Sequence, residues 1–115
     1  MLQEFIAYLN SGRLMSSKCS SCKNVIWPPS SVCPQCLSNE IEWVDINGEG
    51  KLIEFSESFL LEQPSIFGLV ELDHKIRLIA KIQCDDVSQL KKGIPVKLLR
   101  CGMNNSDPYY VFQLI

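Results

Sequence analysis

The sequence predicts a mainly β protein with a short helix at its start, and three observations predict it. Four of the six cysteines fall within 18 residues as two CxxC pairs, Cys19/Cys22 and Cys33/Cys36. From Ile41 onward apolar residues tend to recur at every second position, the period of a half-buried strand. Before the cysteines, Leu2, Phe5, Ile6 and Leu9 recur at helical spacing instead.

The 115 residues suffice for one compact domain or two small modules that share a boundary. Hydrophobic residues make up 46% and charged residues 21%, a balance that excludes a disordered or collagen-like chain. No apolar run reaches the roughly 18 to 20 residues that span a bilayer, and the first residues lack a basic stretch followed by an apolar core. A cytoplasmic protein without a membrane segment is the expectation. The formal charge of −2 is divided unevenly, +1 over residues 1–40 and −3 over 41–115. That balance disfavours a surface built for a nucleic-acid backbone, which needs clustered Lys and Arg.

The first element is a helix at the N-terminus, stopped by Asn10-Ser11-Gly12 within a segment 1–14. Isolated helices this short do not hold in water, so its stripe must pack on something. The second element, 15–40, is organised by the cysteines. A CxxC turn lets two sulfurs converge on one ion while backbone amides of the turn face the thiolates. The loop from Lys23 to Val32 brings the second pair alongside. With no secretory leader to favour disulfides, Cys19, Cys22, Cys33 and Cys36 are predicted metal ligands. An all-thiolate tetrahedron accepts zinc or iron; zinc is preferred, as a structural ion, since four protein ligands leave no position for substrate. Iron would make the chain an electron carrier. Val25 to Trp27 form a short strand, and Pro28-Pro29-Ser30-Ser31 turns the chain back toward Cys33. Trp27 either packs on the neighbouring module or forms, with Pro28 and Pro29, a rigid apolar surface for a partner or ligand.

The third element, 41–115, reads as five strands: 51–59, 66–73, 76–84, 95–101 and 109–115. Asn47-Gly48-Glu49-Gly50 permits a bend before the first, and residues 60–65 read as a loop. Asp73-His74-Lys75 is a tight hairpin, and Asp85 to Leu90 supply a helical turn between the third and fourth strands. That order is expected of an OB-fold barrel. Cys84 lies on the apolar register of its strand and reads as core, Cys101 is ambiguous, and His74 reads as a solvated turn residue. No phosphate-binding or catalytic motif is visible, so the sequence reads as a non-enzyme.

The succession of a helix, CSSC, WPPS, CPQC, a Trp before GEGK, VELDHKIRLIAKI and LKKGIPV resembles the family catalogued as domain of unknown function 35. The resemblance runs from about Phe5 to Phe112. It implies a rubredoxin-like zinc ribbon followed by an OB-fold, with Cys19, Cys22, Cys33 and Cys36 as ligands. It also implies an accessory or scaffold subunit that forms a hetero-oligomer with a thiolase-like or other condensing enzyme and helps bind or channel acyl-CoA. Trp27-Pro28-Pro29 matches the family's aromatic-Pro-Pro step. The chain departs from the pattern at Ser30, where Arg is frequent, and at Lys23, where Gly is frequent. The alternative reading of a zinc ribbon plus OB-fold is a module that binds single-stranded nucleic acid through a basic groove with stacking aromatics. Scattered basic residues weigh against it.

Overall fold

The computed structural model describes residues 2–58, 65–105 and 107–115. Helix α1 covers Leu2–Asn10 and buries Phe5 and Leu9. It ends as its sequence requires: Gly12 adopts φ +78°, its N–H donates to Leu9 O at 2.9 Å, and Arg13 N–H donates to Tyr8 O at 2.9 Å. This paired closure satisfies two carbonyls of the last turn, and glycine is the residue that enters the left-handed region at least cost.

Two sheets follow. The first has the order β2-β1-β3, from β1 (Met15–Cys19), β2 (Val25–Ile26) and β3 (Ile41–Asp45). Both neighbours run antiparallel to β1, Ser17 facing Ile26 on one side and Trp43 on the other. The period-two stretch 41–45, grouped with the barrel from its sequence, is therefore hydrogen-bonded into the cysteine sheet. Strand β1 has no alternating pattern because both Ser16 and Ser17 are buried. They are tolerated there through hydrogen bonds: Ser16 Oγ donates to Ile26 O, and Ser17 Oγ accepts from Ser30 N–H at 3.0 Å.

The second sheet closes on itself in the order β4-β5-β6-β8-β7. Its strands are β4 (Glu49–Ser58), β5 (Ser65–Glu71), β6 (Arg77–Gln83), β7 (Pro95–Asn104) and β8 (Asp107–Leu114). All pairs are antiparallel except β6 with β8, which run parallel over Lys81–Gln83 and Val111–Gln113. This is the OB-fold topology. Register shifts at Leu52/Glu54 and Leu98/Arg100 bend β4 and β7 so that the sheet can close. Gly50 and Gly68 make room for that curvature. A Cβ on Gly50 would stand 2.3 Å from Glu71 O, and one on Gly68 2.5 Å from Leu52 Cδ1.

Strand β6 alternates as its sequence does, with Leu78, Ala80 and Ile82 inward and Ile79 outward. The helical segment between the third and fourth barrel strands is a single 3-10 turn, Val87–Gln89, started by Asp86, whose carboxylate accepts from Ser88 N–H at 3.0 Å. The Asp73–Lys75 hairpin is likewise a 3-10 turn with exposed side chains. Residues 59–64, read from sequence as a strand end and a loop, lie outside the described residues, whereas Ser65 opens β5. Cys101 is buried in the barrel core, and Cys84 packs against that core half-buried.

One continuous core joins the pieces. Phe5, Leu9 and Leu14 belong to the same buried cluster as Leu52, Val70, Val96 and Phe112. A satellite cluster of Cys19, Ile26 and Cys33 lies beneath the cysteine site. The helix also carries Tyr8, whose ring meets Trp43 of β3 edge-on at 5.3 Å, and Arg13 stands over Tyr8 at 5.3 Å. Arg13 also reaches Asp45 at 3.2 Å, an exposed ion pair that contributes little to stability.

Candidate metal centre and the ribbon–barrel junction

Two turns of the same geometry carry the cysteines. In the first, Cys19 N–H donates to Asn24 O and Lys23 N–H donates to Cys19 O, each at 2.9 Å. In the second, Cys33 N–H donates to Ser38 O and Leu37 N–H to Cys33 O, again at 2.9 Å. The residue after each pair has a left-handed backbone, Lys23 at φ +66° and Leu37 at φ +60°. That conformation favours glycine, which is the physical content of the Gly frequent at the Lys23 position.

The turns bring the four sulfurs within 4.8 Å of one another. Cys19 Sγ and Cys36 Sγ are 3.5 Å apart, and Cys22 Sγ and Cys33 Sγ 3.6 Å. A tetrahedron with zinc–sulfur bonds of about 2.3 Å has sulfur–sulfur edges of about 3.8 Å, so the donor set fits one ion. Cys19 and Cys33 are buried beneath it, while Cys22 and Cys36 face solvent. The electrostatics point the same way. The Cys22 backbone N–H is the largest influence holding Cys19 low, to about 6, with the Cys36 thiol adding to it. The Cys36 backbone N–H similarly lowers Cys33. Their partners move oppositely. Although the Ser38 N–H pulls Cys36 down, the Cys19 thiol, burial and the other two thiols push it up to about 12. Cys22 also rises: the Asn24 N–H is the largest single influence and lowers it, as does the Cys36 thiol, but burial with the Cys33 and Cys19 thiols outweighs them. Thiols this close resist a fourfold negative charge, and a divalent cation removes that resistance. Four protein sulfurs suit a structural zinc and leave no place for a reacting water.

The junction beside this centre is aromatic. Trp27 meets Phe5 of α1 edge-on with ring centroids 5.8 Å apart and Tyr110 of β8 at 6.5 Å. Its indole is half-buried against the barrel core, Pro28 is exposed, and Pro29 is half-buried. Sequence alone singled out Trp27 but neither of its partners, because Phe5 and Tyr110 are distant in the chain. Ser30 is tied down by a local turn in which its Oγ donates to Val32 O at 2.9 Å. His74 lies at the hairpin and Cys84 at the end of β6, so neither belongs to the metal centre or the junction.

A family profile described as "ChsH2, rubredoxin-like zinc ribbon domain" matches residues 7–42, and one described as "ChsH2, C-terminal OB-fold domain" matches residues 43–100. "Benzoylsuccinyl-CoA thiolase subunit BbsA" of Thauera aromatica is 31% identical over 91 residues, covering 70% of this chain and 63% of that protein. A "DUF35 domain-containing scaffold protein" of Methanothermobacter thermautotrophicus is 27% identical over 93 residues, covering 75% of this chain and 70% of that protein. The chain thus spans less than two thirds of the Thauera protein. Among solved structures, "Ltp2-ChsH2(DUF35) aldolase" superposes with a TM-score of 0.79 at 24% identity, over 97% of this chain and 92% of that one, a likeness of fold. No helix among the described residues is long and apolar enough to cross a membrane. With its ribbon and its barrel each matched in order, the chain belongs to the ChsH2 family of rubredoxin-like zinc ribbons joined to an OB-fold domain.

Proposed function

We propose that the chain is a non-catalytic accessory subunit that docks on a thiolase-like enzyme, in a hetero-oligomer, and helps hold or channel its acyl-CoA. The observation that carries this reading is the Thauera relative, named as a thiolase subunit, aligned over 70% of the chain. The Methanothermobacter relative, named a scaffold protein, supports it. In this reading Cys19, Cys22, Cys33 and Cys36 hold zinc as a structural ion, in the reducing cytoplasmic compartment that keeps such cysteines from forming disulfides.

The docking surface in this reading is Trp27-Pro28-Pro29. Trp27 is held by Phe5 and Tyr110, so the step it begins is fixed before any partner arrives, and a preformed surface loses little entropy on binding. Pro28 is its exposed tip. The test is co-purification of the tagged full chain with its cellular partner, followed by titration of wild type and a Pro28→Ala/Pro29→Ala variant. The variant should keep its zinc and, titrated at a temperature where both proteins are folded, lose about 2 kcal/mol of partner affinity. Recovery of no acyl-CoA enzyme overturns the accessory role. Unchanged affinity moves the docking surface elsewhere, and thioester turnover by the chain alone, abolished by Cys84→Ser, shows catalysis.

A further inference from the structure

The barrel wall opens on the side away from the β4–β7 seam. Strands β6 and β8 pair only from Lys81 and Val111 onward, and before that point they diverge. The resulting groove, about 780 Å³, is lined by Phe67, Ile79, Lys81, Arg100, Met103 and Tyr109 among others. It lies in the size range of small-molecule sites.

Its chemistry follows from the register. Val111 of β8 pairs with Lys81 on one side and with Arg100 on the other, so the two cations flank it, two strand spacings or roughly 10 Å apart at Cα. Both side chains are exposed, and among the described residues neither has an ion-pair partner. Among the described residues no carboxylate lines the groove. Two cations flanking one valine, in a segment of net charge −3, form a local attraction for an anion.

Beside the cations stand flat apolar surfaces. Tyr109 pairs with Gly102 across β7, and its ring lies where a side chain at 102 would be, with Cε1 and Cζ 3.0 Å from an ideal Cβ. The glycine thereby pins the ring on the sheet while Tyr109 remains 38% exposed. Phe67, adjacent to Lys81 on β5, is 40% exposed, and Ile79 is 68% exposed. Pinned aromatic rings accept a stacked planar ring without further loss of freedom.

We propose that this groove binds a nucleoside phosphate, with its phosphate between Lys81 and Arg100 and its base against Tyr109 and the Phe67–Ile79 wall. Two cations match one phosphate or diphosphate group. A nucleic-acid strand would need a longer basic track, which an acidic barrel does not provide. None of Trp27, Pro28 and Pro29 lines the groove, although Tyr110, which meets Trp27, does, and the proposal does not rest on the accessory role.

The test titrates the zinc-loaded full chain with ADP, and separately with adenosine, pyrophosphate and a dT oligonucleotide. ADP should bind more tightly than adenosine or pyrophosphate, and Lys81→Gln and Arg100→Gln should each raise its Kd about tenfold. Tyr109→Ala should weaken ADP while Tyr109→Phe retains it. The Lys81, Arg100 and Tyr109→Phe variants should keep zinc content, melting temperature and the co-purifying partner. Absence of ADP binding at millimolar concentration overturns the proposal. Equal binding of pyrophosphate overturns it in favour of a plain anion site. Tighter, steeply salt-dependent binding of the oligonucleotide overturns it in favour of a strand-binding face. Loss of the partner by the Lys81 or Arg100 variants, without ADP binding to wild type, reassigns the groove to the protein interface.

Discussion

Trp27 of the ribbon stands edge-on to Tyr110 of the barrel, 6.5 Å between ring centroids, and edge-on to Phe5 of the helix at 5.8 Å. Three segments far apart in sequence therefore share one aromatic joint. Edge-to-face pairs contribute about 0.5 to 1.5 kcal/mol each beyond the area they bury. The joint thus ties the cysteine module and the helix to the barrel.

Removing the joint should cost stability. Trp27→Ala deletes a half-buried indole with two ring contacts, and a loss of about 2 to 3 kcal/mol is expected, below the range of a fully buried aromatic. Denaturant unfolding of the zinc-loaded protein measures it. Trp27→Phe should recover part of the loss, and an unchanged midpoint for Trp27→Ala would show that the joint carries no load.

The metal centre makes a separate demand. Cys33 is fully buried and supports both the sulfur set and the small core with Ile26 and Cys19. Cys33→Ser should release zinc and unfold the ribbon, because binding to a closed site is coupled to folding. Metal analysis together with amide spectra of Met15–Cys19 and Ile41–Asp45 reads both effects. A variant with full zinc content and native ribbon signals would contradict the assignment.

Lys23 offers the opposite experiment. Its φ of +66° costs a residue with a Cβ about 1 to 2 kcal/mol, partly offset in any glycine variant by the greater freedom of the unfolded chain. Lys23→Gly should therefore raise the stability of the zinc-loaded protein by up to about 1 kcal/mol. Thermal unfolding at fixed zinc concentration checks this, and a lowered midpoint would mean that the Lys23 side chain makes a contribution larger than its strain.

These residues also show how legibility depends on range. Paired CxxC spacing, the Gly12 stop and the alternation of Arg77 to Gln83 are local signals, and each reappears in the structure because the pattern and the element span the same few residues. Strand β1 was not legible. MSSKC has no period-two pattern, and its buried serines are explained only by partners at Ile26 and Ser30. The allegiance of Ile41–Asp45 to the ribbon sheet was hidden for a similar reason, since alternation reveals a strand but not its neighbour. The candidate site divides the same way: the clustering of its four cysteines was readable from spacing, whereas Phe5 and Tyr110 around Trp27 required the fold.

Tyr110 provides a prediction in pH. Burial, with the nearby Cys101 adding to it, raises its hydroxyl to about 12 from the ordinary value of 10.0. The folded state therefore keeps a proton that the unfolded state gives up at lower pH. Between about pH 10 and pH 12 the folded form binds more protons than the unfolded form, so stability must fall as pH rises. Below pH 10 the contribution is fully present, and above about 12 it is gone. Tyr110→Phe removes the titrating hydroxyl but retains the ring that meets Trp27, so the variant should lose less stability than wild type across this interval. Phenolate absorbance and denaturant midpoints recorded from pH 9 to 12 would show it, and a Tyr110 that ionises near the ordinary value of 10.0 would mean that the junction admits water to the ring.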